Sequence, residues 1–160
     1  MASHDDPIDD GPLLDLPDGG LLGAIVSLNL AVTAVLDEIA AQSGLTFSDY
    51  LVLGVVRRST GARSSPTAIA RVLGRTTGGM SLTLDRLEAD LLLRRRRDPA
   101  DGRRVVVELT TAGTDVATSV SRALHRWEAA LDLDAAGAVT VLDSVTGAVA
   151  RAEPAQAVQA

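Results

Sequence analysis

Twelve of the fifteen basic side chains in this chain fall between Arg57 and Arg104, and all fifteen are arginines. Residues 57–104 carry twelve positive and five negative groups, a net of +7. Residues 1–56 carry nine acids and no base, and residues 105–160 carry seven acids against three bases, so the whole chain is at −6. The average hides the segregation. Guanidinium groups clustered in one stretch of an acidic protein form a focused anion-binding surface, and the commonest large anion is nucleic acid. The placement of the basic groups informs; their identity as arginine reflects genome composition.

Several other chemistries are excluded by residue type. There is no cysteine, so no disulfide framework, thiol switch or thiolate metal site is available. The two histidines, His4 and His125, lie far apart with no second histidine at ligand spacing, and no metal or other cofactor is expected. With no lysine, a Walker-type phosphate loop and Schiff-base catalysis are both unavailable. No G-x-S-x-G elbow occurs, and an enzyme is not expected. Phe47, Tyr50 and Trp127 are the only Phe, Tyr or Trp residues, too few for a base-stacking platform.

The elements that must position the arginines follow from periodicity. The first twenty residues hold six aspartates and no base, the reverse of a signal peptide, and are expected to form a disordered acidic tail. From Leu21 to Ala41, Leu21, Ile25, Leu28, Val32, Val35 and Ile39 repeat at helical spacing beside a second set, Leu22, Val26, Leu30 and Leu36. Such a helix is too apolar for one buried face, so a partner chain is expected on the other. Its apolar stretch, Leu21 to Leu36, is interrupted by Ser27, Asn29 and Thr33 and is read as too short for a membrane span. A soluble cytoplasmic protein is expected.

A second helix is predicted over Ser48–Arg57, capped by Thr46 or Ser48. After a polar loop, Ser65 caps a short helix with Pro66 at its first position and Ile69, Val72 and Leu73 inward; Gly74 stops it. A longer helix starts at Thr76 or Thr77, with Met80, Leu84, Leu87 and Leu91 on one stripe. Short helix, tight turn and longer helix make a helix-turn-helix. It is followed by a hairpin: Arg94–Asp98, turn residues Pro99-Ala100-Asp101-Gly102, and Arg103–Leu109 with alternating Val105, Val107 and Leu109. Amphipathic stripes then recur at Val116, Val120, Ala123, Trp127 and Leu131, and at Val139, Leu142, Val145 and Val149, giving two more helices.

The string Arg86-Leu87-Glu88, Leu92-Leu93, Arg95, Asp101, Arg103, Leu109-Thr110 and Gly113, with Gly44-Leu45-Thr46 and Leu53 upstream, resembles the MarR-type transcriptional regulators. That resemblance implies a mainly α fold with a small β wing, a winged helix-turn-helix core flanked by N- and C-terminal dimerisation helices. The map would be an acidic tail to residue 20, a winged-helix domain over 21–152 and a frayed terminus over 153–160. Within the domain the helix-turn-helix covers about 65–90, the wing about 93–109, and dimerisation helices about 21–42 and 112–151. Two departures stand out. Leu91 occupies the place where the family usually has a glycine ending the recognition helix. Ser81-Leu82-Thr83 stands where relatives often carry basic or amide side chains, which weakens bidentate base reading there.

The function expected is sequence-specific binding of double-stranded DNA by a homodimeric regulator, most simply a repressor released by a small anionic or phenolic ligand. A dimer would place two recognition helices about 34 Å apart on a pseudo-palindromic operator. Arg103 at the wing tip is the first choice for a minor-groove contact, with Asp101 holding it in place. Arg75, Thr76, Thr77 and Gly78 open the recognition helix toward phosphates or base edges. Ser81, Arg86, Arg95 and Arg104 complete the candidate DNA-binding set. Four consecutive arginines on a strand alternate sides, so at most two of Arg94–Arg97 can face DNA; the others are solvated or paired with Glu88 and Asp98. Leu82 lies off the buried stripe, where it either touches a thymine methyl or is an incidental surface leucine. Tyr50, Arg57 and Trp127 are the candidate ligand-binding residues. The alternative is a dimeric winged-helix protein that serves as a ligand-binding or protein-interaction module without specific DNA reading.

Overall fold

A computed structural model describes residues 20–98 and 101–151. Residues 1–19 of the expected acidic tail, the expected frayed terminus and Pro99-Ala100 of the expected wing turn lie outside the described residues. The order is α1 (Leu21–Ala41), α2 (Phe47–Arg58), a short 3-10 turn (Thr60–Ala62), β1 (Arg63–Ser64), α3 (Pro66–Val72), α4 (Thr77–Ala89), β2 (Leu93–Arg97), β3 (Val105–Leu109), α5 (Thr111–Ala129) and α6 (Ala135–Arg151). The chain divides into two compact units, Met1–Leu124 and His125–Ala160.

In the first unit, α2 begins with a capping box. The Thr46 hydroxyl accepts from the Asp49 amide at 3.1 Å, and the Asp49 carboxylate accepts from the Thr46 amide at 3.0 Å and its hydroxyl at 2.7 Å. The core joins Val52, Leu53 and Val56 of α2 with Ile69 of α3, Met80, Leu84 and Leu87 of α4, Leu93 and Val107 of the sheet, and Val120 of α5. Aliphatic packing of this kind holds the helix-turn-helix on the wing.

The sheet has three antiparallel strands in the order β1-β3-β2, with Arg63 and Arg94 both opposite Glu108. Strand β1 falls in what the sequence reads as a loop, because two residues carry no periodic signal. On α3 the inward side chains are Ile69 and Ala70, with Leu73 half-buried; Val72 is exposed, contrary to expectation. The face set by Ile69, Ala70 and Leu73 follows the i, i+1, i+4 stripe of one helix side, and Val72 rotates off it.

Leu91 is a second correction. It is exposed and left-handed at φ 58°, whereas the stripe through Met80, Leu84 and Leu87 placed it inward. The helix ends at Ala89, and Leu91 occupies the position after the cap where the chain reverses. The Leu92 amide returns to the Leu87 carbonyl at 2.9 Å and the Leu91 amide to Glu88 at 3.0 Å. That is a Schellman closure made with a leucine in the glycine position.

Helix α1 buries only Ile39 and Ala40, against the start of α2; Leu21, Leu22, Leu28 and Leu30 stay exposed. It runs on through Asp37 and Glu38, so at 21 residues and a mean hydropathy of 1.7 it meets the length and composition of a bilayer span, where the sequence had implied it would not. An apolar helix that pairs with a second chain has the same length and composition. In the second unit, α6 buries no residue and leaves Val139, Val141, Leu142 and Val149 exposed. Leu131, placed on the α5 stripe from sequence, lies beyond the end of that helix and is exposed.

Candidate nucleic-acid interface

Helix α3 starts at Ser65, whose hydroxyl accepts from the Ala68 amide at 3.2 Å, and Pro66 supplies a fixed φ where no amide donor is needed. Gly74 turns the chain at φ 62°, and the Arg75 amide closes back on the Ala70 carbonyl at 2.8 Å. Thr76 then caps α4 by accepting from the Gly79 amide at 3.3 Å. The turn is short because one left-handed glycine and one cap do both jobs.

This geometry exposes Thr76, Thr77, Gly78 and Ser81 together at the start of α4. The first amides of a helix have no acceptor within it, so Thr77 and Gly78 present backbone donors on an uncrowded surface. A Cβ at Gly78 would meet nothing within 4 Å, so the helix end can approach a neighbouring backbone closely.

The arginines divide by what they already hold. Arg75 donates to the Ser48 hydroxyl of α2. Arg86 pairs with Asp49, a carboxylate only 3% exposed, and so ties α4 to the capping box of α2. Arg95 lies across α4: it meets Asp85, donates to Glu88 at 3.3 Å and reaches the Ser81 carbonyl at 3.2 Å, while its amide donates to Glu88 at 2.7 Å. Arg94 and Arg63 close on Glu108 from neighbouring strands at 2.9 Å and 2.8 Å, and Arg96 stands 4.0 Å from it. The pairing expected for the run was with Glu88 and Asp98; Glu108 and Asp85 add acceptors that only the strand register brings within reach.

In the wing, Asp101 accepts from the Arg103 amide at 3.1 Å, and its other oxygen stands 3.9 Å from Arg104. The carboxylate therefore fixes the backbone at Arg103 and stands beside the Arg104 guanidinium. Arg97 donates to the Gly102 carbonyl at 3.0 Å, and the Asp98 amide to the Arg104 carbonyl at 2.9 Å, which closes the hairpin. Arg103 and Arg104 then line a cleft of about 570 Å³ with Thr67 at the start of α3 and Arg71 in its last turn. Arg63 and Arg71 were not singled out from sequence; their nearness to the wing depends on β1 and α3 folding beside it, which no local spacing reveals.

The candidate ligand residues belong to both units. Tyr50 and Arg57 sit two turns apart on α2, where Tyr50 packs on Phe47 at 5.9 Å between ring centroids and Arg57 donates to Thr118 of α5 at 3.3 Å. Trp127 is half-buried in the second unit. Among the described residues no group of three acidic or histidine side chains is arranged to hold a metal.

Residues 43–104 match the family model for the MarR family. No match was found among curated protein sequences. Solved structures with the same fold include AbsC, a MarR family transcriptional regulator from Streptomyces coelicolor, at 26% identity and a TM-score of 0.71 over 84% of this chain and 94% of that one. A MepR–DNA complex from S. aureus matches at 20% identity and a TM-score of 0.72, covering 82% of this chain and 95% of that one. A mutant of MarR from E. coli complexed with operator DNA matches at 24% identity and a TM-score of 0.68 over 79% and 92% of the two chains. Residues 43–104, which form this helix-turn-helix and most of the wing, are thus similar to the MarR family, and the chain has the winged helix-turn-helix fold of those solved structures.

Proposed function

We propose that this protein is a homodimeric, sequence-specific double-stranded-DNA-binding transcriptional regulator, acting as a repressor that a small anionic or phenolic ligand releases. The observation that carries the reading is the cleft lined by Arg71, Arg103 and Arg104, in a protein whose remaining charge is negative, and the exposed start of α4 adds open backbone donors. A solvated core helix pair would need no such concentration of guanidinium groups. The bound operator in the MarR structure and the DNA in the MepR structure support the same use of the fold.

Thr76, Thr77, Gly78 and Ser81 approach the major groove and Arg103 the minor groove, with Arg104 and Asp101 setting the wing. Arg75, Arg86 and Arg95 act chiefly by holding α4 on α2 and on the wing. Tyr50, Arg57 and Trp127 are assigned to the ligand. A module without DNA reading is not favoured, because it leaves the wing arginines and the glycine-opened helix start without a role. The protein works away from the membrane in this reading, with the exposed stripe of α1 covered by a second copy.

The test is selection of duplexes from a randomised pool by the purified full chain, followed by sedimentation of the complex. An enriched pseudo-palindrome bound by two chains supports the reading; recovery of no preferred sequence at physiological salt contradicts it.

A further inference from the structure

The exposed side of α4 carries Thr77, Gly78, Ser81, Leu82, Asp85 and Ala89. Bidentate reading of guanine or adenine needs a long side chain with paired polar atoms, an arginine, lysine, asparagine or glutamine. None of these types occurs between Thr76 and Asp85. The shorter donors are engaged within the helix. Ser81 Oγ donates to the Thr77 carbonyl at 3.1 Å and Thr83 Oγ1 to the Gly79 carbonyl at 3.2 Å. Asp85 is met by Arg95, and Arg86 turns to Asp49.

Leu82 is the large side chain left on that surface. It is 74% exposed, although Met80 and Leu84 on either side are fully buried, so the core does not use it. It stands one helical turn beyond Gly78, where the absent side chain leaves open space and lets the helix settle close to a surface. The major groove offers an apolar edge at the C5-methyl group of thymine.

We infer that Leu82 is a specificity-determining residue that reads thymine methyl groups in the major groove, so that this recognition helix selects its bases by apolar contact in place of paired hydrogen bonds. This rests on the double-stranded-DNA reading above. The charge complement is already present: Arg71, Arg103 and Arg104 hold the backbone and the minor groove, and Leu82 supplies discrimination that a phosphate contact lacks.

The test uses the full chain and a duplex enriched from a randomised pool, with each thymine replaced in turn by deoxyuridine, which removes one methyl and keeps every hydrogen-bonding edge. Affinities are measured for the wild type and for Leu82→Ala, whose unfolding temperature shows that the fold is kept. At one or more positions in each half-site uracil weakens wild-type binding roughly fourfold, the value of one buried methyl. Leu82→Ala binds the intact duplex more weakly and loses the distinction between thymine and uracil at those positions. Wild-type indifference to uracil at every position, or a uracil penalty unchanged in Leu82→Ala, overturns the inference while leaving the DNA reading in place. A pool that yields no enriched duplex overturns the DNA reading itself, and this inference with it.

Discussion

Leu91 and Gly113 sit at two places where backbone geometry leaves little freedom for a side chain. Left-handed φ costs a leucine roughly 1–2 kcal/mol that glycine does not lose. Leu91→Gly is expected to stabilise the protein by about 1 kcal/mol in chemical denaturation, since the gain is partly offset by the freer unfolded chain. Gly113 is the opposite case. A Cβ there would lie 1.8 Å from the Leu92 carbonyl oxygen, a backbone atom fixed by the Thr110 amide at 3.1 Å. Gly113→Ala is therefore expected to destabilise by about 3 kcal/mol or more, detected as a large loss in denaturation midpoint; a shift within error would mean α5 can move away freely. Arg86→Ala leaves the carboxylate of Asp49 with only its Thr46 partners, and the expected loss is about 1–3 kcal/mol of stability. At this scale the sequence was partly legible. The missing glycine at Leu91 was visible as a departure, but its outward direction depended on where α4 stopped, and the Arg86–Asp49 pair joins residues 37 apart.

The elements divide the labour between holding and reading. The Leu109-Thr110-x-x-Gly113 string fastens the end of α4 to the start of α5. The Thr110 hydroxyl donates to the Leu91 carbonyl at 2.7 Å and accepts from the Gly113 amide at 3.0 Å. Arg95 fastens the same helix to the wing from its other side. Arg95→Ala is expected to lower stability and operator affinity together, because it loosens α4 against β2. Arg103→Ala is expected to lower operator affinity at least tenfold with unchanged stability, since Asp101 holds the wing here through the backbone amide of Arg103. Comparing thermal unfolding with binding for the two variants separates the roles; equal binding by Arg103→Ala and the wild type would remove the wing-tip assignment. Helix periodicity gave α1 to α6 to within a few residues, since each carries its own cap or stripe. Strand β1 and its Arg63–Glu108 pair were hidden, because they arise from pairing segments more than forty residues apart.

Over the whole molecule, charge and apolar surface are sorted into different jobs. Residues 57–104 carry the positive charge, the rest of the chain is negative, and among the described residues α1 leaves Leu21, Leu22, Leu28 and Leu30 exposed and α6 leaves Val139, Val141, Leu142 and Val149. A second copy is the economical cover, since scattered surface leucines are ordinary but a stripe along a 21-residue helix is not. Leu30→Asp is expected to shift the protein to monomer in light scattering and to weaken operator binding, because one chain engages only one half-site. The most direct measurement is fluorescence anisotropy of the full chain on the DNA upstream of its own coding sequence and on a scrambled duplex, at about 50 and 200 mM salt. A preference for the upstream duplex that persists at the higher salt, with weaker binding of both as salt rises, is the predicted result. Equal affinity for the two duplexes at both salts, or binding that vanishes for both at the higher one, would contradict sequence-specific regulation of this DNA.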